Sequence, residues 1–465
     1  NDDGRLQLNA NNADDLPNGR FTIDVIELGK PRTEVTDDDF SRFVGAPDLT
    51  RLSLTECPLT KLPALRVMDK LQDLRIYSCP NLTAEFFADV GTRPALEILQ
   101  LSPYGDAPPL PVESAKAIGT SRSLRQIGFR PNPFDDAGLV ELARISTLES
   151  LKVEIMGPIT GDFLLAFESH PSLESLLLGY VEPTFDGSQL ASLAGVEKLR
   201  SLTINVGEIS DEAIAAIGKL TQLEGLSFNA SPGADDTVLA NLASLAKLSS
   251  LTVSGFKDSG KSLRSFQCGE TLKSLALNGE TLVDAEGIAA ISETFPHLEA
   301  LIVDSDRLNG GSLAPLANLG SLQDLSLNVS HYDDTALAAL GALPDLKTMQ
   351  LHGDDQSATA EGLAALVEAD KLEELTLQFP NMPEGGWKAL GSLEHIGRLN
   401  LGRTPLTPEV ADLSRARLLK TLHVGPGLTE NPDEIIAALQ KLPALRNLEI
   451  SSEKFRSSPE LQQRL

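Results

Sequence analysis

Cysteine and histidine side chains are the first candidates for chemistry in this sequence, because they act as nucleophiles and metal ligands. The cysteines are too few for a disulfide framework and show no metal-ligand spacing. The histidines are scattered, with no His-x-x-x-His pair and no cysteine at ligand spacing. The residues concerned are Cys57, Cys79, Cys268, His170, His297, His331, His352, His395 and His423. Their types and spacing predict no metal site and no cofactor.

Two local sequences resemble catalytic or metal sites without completing them. Cys268-Gly-Glu270 places a thiol near an acid, but it directly precedes the repeated residue Leu272, which favours a core or turn role. The acidic segment from Asp304 to Gly310 has leucine where a calcium-binding loop needs an oxygen ligand. The sequence also contains no glycine-rich phosphate loop and no Gly-x-Ser-x-Gly motif. We therefore predict a protein that is not an enzyme.

Acidic residues dominate the charge of the chain. There are 66 acidic against 39 basic side chains, and the formal net charge is -27. Phosphate backbones and anionic membranes are bound by clustered Lys and Arg, so the composition argues against both partners. The surplus acid favours a soluble monomer, and it would also attract a basic partner. No apolar run reaches the ~18 residues of a membrane span, so we expect no membrane insertion.

A Leu-x-x-Leu-x-Leu pattern recurs along most of the chain and defines the elements that position every other residue. Its alternating apolar residues predict a short strand, and upstream apolar residues spaced by three, as in Asp211–Ile217, predict a helix. Asp, Ser and Thr, as at Ser210, mark helix starts because they accept first-turn amide hydrogens. About 17 copies recur with a period of about 25 residues. Their first members are Leu49, Leu71, Leu96, Leu124, Leu148, Leu173, Leu199, Leu223, Leu248, Leu272, Leu298, Leu322, Leu346, Leu372, Ile396, Leu419 and Leu445.

The repeats resemble the leucine-rich-repeat superfamily, most closely its helix-containing members such as ribonuclease-inhibitor-like proteins and bacterial GALA-type proteins. The likeness is carried by Glu286-Gly-Ile-Ala-Ala-Ile291, Thr335-Ala-Leu-Ala-Ala-Leu340 and Glu361-Gly-Leu-Ala-Ala-Leu366. This resemblance implies an α/β solenoid with the form of a horseshoe, with parallel strands on the concave face and helices on the convex face. It also implies that recognition uses the concave face.

The family often has Asn or Cys three residues after the third strand leucine, and few repeats here follow it. Cys57, Cys79 and Asn132 match this position, so we interpret both cysteines as structural residues. Trp387 occupies the helix position held by leucine in neighbouring repeats, which predicts core packing. An F-box, which some GALA-type proteins carry, is not evident before the repeats.

The domain organisation follows from the extent of the pattern. Residues 1–20 are polar and are predicted to form a leader, and residues 21–48 an N-terminal cap. The repeats occupy about 49–450 as one domain, and residues 451–465 are predicted to close its end as a cap or tail.

Side chains two, four and six residues after each first leucine should point off the concave face, because successive strand residues alternate between faces. In the middle of the array these residues are small and neutral. Near the C-terminal end they are Gln350, His352, Gln378, Arg398, Asn400 and His423. In the first repeats they form a basic and aromatic cluster of Arg51, Arg75, Tyr77, Gln100, Gln126 and Arg130, with Tyr104 at its edge. We predict that this cluster binds the partner; the alternative is a mixed surface whose long side chains pair with nearby acids.

The leading hypothesis is a non-enzymatic binding or scaffold protein that holds a protein or peptide on the concave face. A second is an exported cell-surface or periplasmic protein that binds glycan or envelope material, although aromatic residues make up only 5% of the chain. A third is an effector-type ubiquitin-ligase adaptor, and a fourth is self-assembly through the solenoid ends. The chain begins at Asn1, which is compatible with a removed export signal, so we expect an exported or envelope location rather than a cytoplasmic one.

Overall fold

The computed structural model describes residues 24–28, 37–38, 48–102, 110–154, 159–179, 185, 187–230, 236–255, 257, 259–425 and 432–451. The chain divides into two compact units, Asn1–Glu174 and Ser175–Leu465. The predicted leader, most of the predicted N-terminal cap and nearly all of the predicted C-terminal cap lie outside the described residues. The domain boundaries drawn from the sequence therefore stay predictions.

The first unit contains six parallel strands among its described residues. The repeated leucines lie in register, with Leu52 opposite Leu74 and Leu74 opposite Leu99. The strands are β1 (Val25–Leu28), β2 (Arg51–Thr55), β3 (Asp73–Tyr77), β4 (Ile98–Ser102), β5 (Gln126–Phe129) and β6 (Ser150–Glu154). The α-helices are Ala84–Gly91, Val112–Ile118 and Asp136–Leu142, and the 3-10 helices are Pro63–Val67 and Asp162–Phe167.

The second unit contains twelve strands in its described part, also parallel and paired in sequence order. They are β7 (Ser175–Gly179), β8 (Ser201–Ile209), β9 (Gly225–Ala230), β10 (Ser250–Ser254), β11 (Ser274–Thr281), β12 (Ala300–Ser305), β13 (Asp324–Tyr332), β14 (Thr348–Gln356), β15 (Glu374–Leu377), β16 (Arg398–Leu401), β17 (Thr421–Val424) and β18 (Asn447–Ile450). The α-helices are Asp211–Ile217, Asp236–Ala240, Ala285–Thr294, Asp334–Gly341, Ala360–Ala365, Gly386–Gly391 and Pro432–Leu439. The 3-10 helices are Ser188–Gly195, Lys261–Ser265, Gly310–Asn318, Leu366–Glu368 and Pro408–Arg415.

From β2 onward, the strands bury one face and expose the other more fully. In β2, Leu52 and Leu54 are completely buried while Arg51 is exposed. Each strand from β2 to β18 begins within three residues of a repeated first leucine, so the period-two pattern located every one of them. The predicted solenoid of parallel strands alternating with helices is confirmed.

The helices differ in type from repeat to repeat, which the apolar spacing did not distinguish. Asp135, Ser210 and Asp284 cap α-helices by accepting first-turn amide hydrogens, which confirms the prediction made at Ser210. Three of the 3-10 helices instead follow a left-handed glycine and have no side-chain cap; these glycines are Gly161, Gly187 and Gly260. Because a 3-10 helix rises further per residue than an α-helix, it covers the same distance with fewer residues.

The paired aspartates at helix starts have two separate roles. The amide of Gly138 donates to the Asp135 carboxylate at 2.9 Å, so Asp135 caps its own helix. The amide of Thr160, in the next repeat, donates to the Asp136 carboxylate at 2.8 Å. The same two roles recur in the second unit at Asp333 and Asp334. The first acid of each pair therefore stabilises a helix, and the second joins consecutive repeats.

His170 is a buried imidazole whose two ring nitrogens are both occupied. Nδ1 lies 3.3 Å from the amide nitrogen of Ser172 and 3.1 Å from that of Leu173, while Nε2 lies 3.0 Å from the carbonyl oxygen of Ile145. This geometry fits the neutral ring with its hydrogen on Nε2, since Nδ1 must accept. Burial lowers the pKa of His170, against the opposing effect of the Ile145 carbonyl.

We expect His170 to make the free energy of unfolding fall as the pH decreases from about 7 to about 5. The unfolded chain takes up a proton on His170 near pH ~6.5, whereas the folded state resists it, so acid favours unfolding. Between these two pH values, the midpoint of urea unfolding should fall further for the native chain than for His170→Gln. The exposed residue His395 provides the control, and His395→Gln should keep the native pH dependence. Parallel pH curves for His170→Gln and the native chain would contradict this role.

Candidate functional site

The N-terminal cluster lies on the exposed side of β2 to β6 in the first unit, a surface that we call the N-terminal face. Arg75 of β3 lies opposite Gln100 of β4, and Arg51 of β2 lies opposite Asp73 of β3. Gln126 and Arg130 are exposed at the two ends of the next strand. The structure therefore brings six of the seven predicted residues to this face, and Tyr104 lies outside the described residues.

Asp73 holds two of the predicted arginines in place. Its carboxylate lies 2.9 Å from Nε of Arg51, and it accepts from Nε and Nη2 of Arg75 at 3.0 Å each. Asp73 is only 4% exposed, whereas the Arg51 and Arg75 side chains remain 46% and 35% exposed. The hydrogen bond to Asp73 raises the pKa of the Arg75 guanidinium, and the Asp73 carboxylate holds both arginine side chains in place.

Glu154 has the same role at the other edge of the N-terminal face. Its carboxylate lies 2.8 Å from Nε of Arg130 and 2.8 Å from Nζ of Lys152. Between these pairs, the hydroxyl of Tyr77 donates to Oε1 of Gln100 at 3.2 Å. The face thus carries four cations against two carboxylates, in a hydrogen-bonded arrangement.

The sequence analysis missed Asp73, Lys152 and Glu154, although the position rule that selected the arginines also selects them. Asp73 stands two residues after Leu71, and Lys152 and Glu154 stand four and six residues after Leu148. Asp73 and Glu154 are acidic and therefore fell outside a cluster defined by basic and aromatic side chains, whereas Lys152 fits that definition and was overlooked. The long basic side chains do pair with nearby acids, as the alternative hypothesis of a mixed surface expected. This pairing leaves the exposed parts of the guanidinium groups available to a ligand.

In the predicted group at the C-terminal end, two members contact each other and others contact neighbouring residues. Nε2 of Gln378 lies 2.8 Å from Nδ1 of His352, and Nε2 of His423 lies 2.8 Å from the Ser451 hydroxyl. Burial, followed by the positive charge of Arg403, lowers the pKa of His352. These contacts keep both imidazoles partly enclosed, so this group offers less freely exposed charge than the N-terminal face.

The middle of the exposed face in the second unit is formed mainly by small residues, as predicted, but larger apolar side chains such as Leu177 and Ile302 also lie there. Ile302 of β12 is 42% exposed and lies opposite Ala276, which is 6% exposed. The side-chain Nδ2 of Asn328 in β13 donates to Oδ1 of Asp304 in β12 at 3.0 Å. A single protruding isoleucine gives little apolar area for an anchor.

The cysteines have buried surroundings in the structure. All three thiols are free, and none is more than 4% exposed. The amide of Cys57 donates to Sγ of Cys79 at 3.4 Å, which agrees with the interpretation of both as structural residues. Among the described residues, no three His, Cys, Asp or Glu side chains are grouped so that they could hold a metal ion.

We expect all three thiols to be unreactive toward Ellman's reagent in the folded protein. Burial raises the pKa of Cys268 to about 11, and the hydrogen bond with Cys57, together with burial, raises that of Cys79. The same hydrogen bond lowers the pKa of Cys57, so the low reactivity of that thiol rests on its burial, with only 1% of the residue exposed. At pH ~8 only about one Cys268 thiol in a thousand would be ionised, and it would still be inaccessible. The folded chain should release no chromophore, and the chain in concentrated urea should release three equivalents. Rapid release of one equivalent before unfolding would identify a reactive thiol.

No helix of the described residues is both long enough and apolar enough to span a membrane. No protein-family model matches the chain, and no curated protein sequence matches it. The fold is similar to that of a leucine-rich-repeat protein of Leptospira interrogans, with a TM-score of 0.55 and 18% identity over 89% of this chain and 100% of that chain.

Two further solved structures align at lower scores. An internalin from Listeria monocytogenes has a TM-score of 0.38 and 14% identity over 90% of each chain. A plant peptide hormone receptor, solved in complex with RGF2, has a TM-score of 0.37 and 13% identity over 93% of this chain and 88% of that chain. The repeated leucines, the in-register parallel strands and the Leptospira structure lead to one conclusion: the chain has the leucine-rich-repeat fold.

Proposed function

We propose that this protein is a non-enzymatic binding module that holds a protein or peptide partner on the N-terminal face, which we take to be part of the concave face. The observation that carries the proposal is the arrangement of Arg51 and Arg75 around the nearly buried carboxylate of Asp73, beside Tyr77. Arginine and tyrosine are the residue types that contribute most strongly to protein interfaces. Here they occur together on a chain of net charge -27.

The contacts that hold Arg51 and Arg75 against Asp73 favour binding of a partner. A guanidinium that is already held by Asp73 loses less conformational freedom when a partner binds, so less of the interaction energy is offset by ordering. The exposed edges of Arg51 and Arg75 still have donors that match a carboxylate or a backbone carbonyl of the partner. The acidic surface elsewhere would repel a partner in other orientations and so fix its position.

The net charge also favours a monomer, because like-charged copies repel one another.

The test is affinity capture from lysate and envelope fractions of the source organism, followed by calorimetry with the captured partner. We expect the Arg75→Ala/Tyr77→Ala variant to bind at least about tenfold more weakly than the native chain, as for the loss of interface hot spots. A change below about 0.5 kcal/mol would exclude the N-terminal face as the site.

A matched variant separates the site from a general effect of charge. Arg398 of β16 is an exposed arginine in the second unit whose Nε lies 3.7 Å from Oε1 of Glu374. Arg398→Ala removes the same charge away from the N-terminal face, so binding should stay within about twofold of native, as for a surface position outside the interface. Equal losses in both variants would indicate long-range attraction to the whole chain rather than a site.

A further inference from the structure

A groove of about 390 Å³ opens in the second unit, between the segments that lead into the helix Gly386–Gly391 and the 3-10 helix Pro408–Arg415. Its residues belong to the second unit, whereas the N-terminal face belongs to the first. Its volume lies within the range of pockets that hold small molecules or peptide side chains. It is lined by Asn381, Met382, Pro383, Glu384, Gly385, Trp387, Pro405, Thr407, Glu409 and Asp412.

Part of the groove lining is apolar. Met382, Pro383 and Pro405 supply aliphatic surface, and the lining also includes Trp387, a residue with only 4% of its surface exposed. The indole Nε1 of Trp387 donates to the Thr407 hydroxyl at 3.0 Å, so the polar atom of the ring is satisfied. Trp387 therefore packs in the core, as the sequence predicted, and also forms part of a surface groove, which the sequence did not indicate.

The rim of the groove carries three exposed carboxylates, from Glu384, Glu409 and Asp412. None of the ten lining residues is basic. Within the part of the chain that the structure describes, Glu384 and Asp412 have neither an ion pair nor a side-chain hydrogen bond. The Thr407 hydroxyl, which accepts from Trp387, donates to Glu409 and lowers the pKa of that carboxyl. The rim therefore carries three carboxyl groups, and the residues that line the groove include no cation.

We propose that this groove binds a lysine or arginine side chain of a basic peptide segment. The methylene stem would lie along Met382, Pro383 and Pro405, and the cation would lie among the rim carboxylates. Long basic side chains bind in this way, with apolar stems on apolar surface and charged ends among polar groups. A metal ion fits less well, because the described residues contain no group of acids placed to hold one.

Trp387 is the only tryptophan of the chain, so its fluorescence reports on this groove alone. The full chain is titrated with a short acetylated peptide of alternating glycine and arginine, at an ionic strength of about 0.15 M. The control peptide has citrulline, a neutral residue of the same shape, in place of arginine. We expect a saturable change of tryptophan emission with the arginine peptide and none with the citrulline peptide. No saturable change with the arginine peptide, or equal changes with both peptides, would overturn the proposal.

Two double variants separate the groove from the general acidity of the chain. Glu384→Gln/Asp412→Asn removes two rim charges and should weaken binding of the arginine peptide at least about tenfold. Asp211→Asn/Glu212→Gln removes the same charge from two exposed acids of the helix Asp211–Ile217 and should leave the affinity within about twofold, as for charges distant from the site. Unchanged affinity in the rim variant, or an equal loss in both variants, would show that the peptide does not bind in the groove.

Discussion

Replacing Gly218 with alanine should lower the free energy of unfolding by about 3 kcal/mol, the upper part of the range for overpacking. A Cβ atom at this position would lie 2.0 Å from the carbonyl oxygen of Asn241, at the helix end of the next repeat. Neither backbone can yield without separating the two repeats, because a carbonyl oxygen has no rotamer through which to move. The small gain of alanine over glycine in helix propensity, about 1 kcal/mol, is much too small to offset this clash.

The same contact recurs along both units. A Cβ atom on Gly91, Gly341 or Gly391 would lie between 2.1 and 2.4 Å from a carbonyl oxygen of the following helix. Gly320 offers the matched control, since a Cβ atom there would meet nothing within 4 Å. Urea unfolding should give a much lower midpoint for Gly218→Ala, whereas Gly320→Ala should stay within about 0.5 kcal/mol of native. If both variants unfold at the native midpoint, the close approach of helices is not a constraint on stability.

Replacing Asp334 with alanine should lower the free energy of unfolding by about 2 kcal/mol. The Asp334 carboxylate accepts from the amide of Thr359 at 2.7 Å and from the Thr359 hydroxyl at 2.8 Å. Thr359 in turn accepts from the amide of Glu361 and so caps the helix Ala360–Ala365. The substitution removes two hydrogen bonds to a charged acceptor and loosens the cap of the next repeat.

Hydrogen exchange gives a local readout of this loss. The Thr359 amide should exchange faster in Asp334→Ala, in addition to the lower urea midpoint, because its acceptor is gone. Asp345→Ala is the control, since Asp345 forms an exposed ion pair with Lys371, and such pairs contribute about 1 kcal/mol or less. If the Thr359 amide exchanges at the native rate in Asp334→Ala, water replaces the carboxylate without loss of protection. Asp334 would then have no role in joining consecutive repeats.

The side of the sheet on which each strand residue lies could be predicted from the sequence. Leu52 and Leu54 are buried and Arg51 is exposed because alternation along a strand is a local property of the backbone. The same rule brought Arg75 and Gln100 to one face, where they lie opposite each other in adjacent strands. A helix cap such as Asp135 was equally predictable, because its hydrogen bond spans only three residues.

The contacts between repeats could not be predicted in this way. Asp73 and Glu154 obey the position rule, but their pairing with arginines depends on how far each side chain reaches across adjacent strands. Asp136 and Asp334 follow capping aspartates in the sequence, and only the packed helices show that they bond the next repeat. The groove lined in part by Trp387 likewise requires two segments that lie about one repeat apart in the chain.

The sequence by itself determined the repeat, the strands and the buried leucines of this protein. These follow from local periodicity, because an apolar stripe on a strand has one stable orientation, toward the core. Only the tertiary structure decided which charges are neutralised, which glycines have no room for a side chain and where a cavity remains. Those properties depend on distances between atoms that the chain brings together from separate repeats, and a pattern within one repeat carries no record of them.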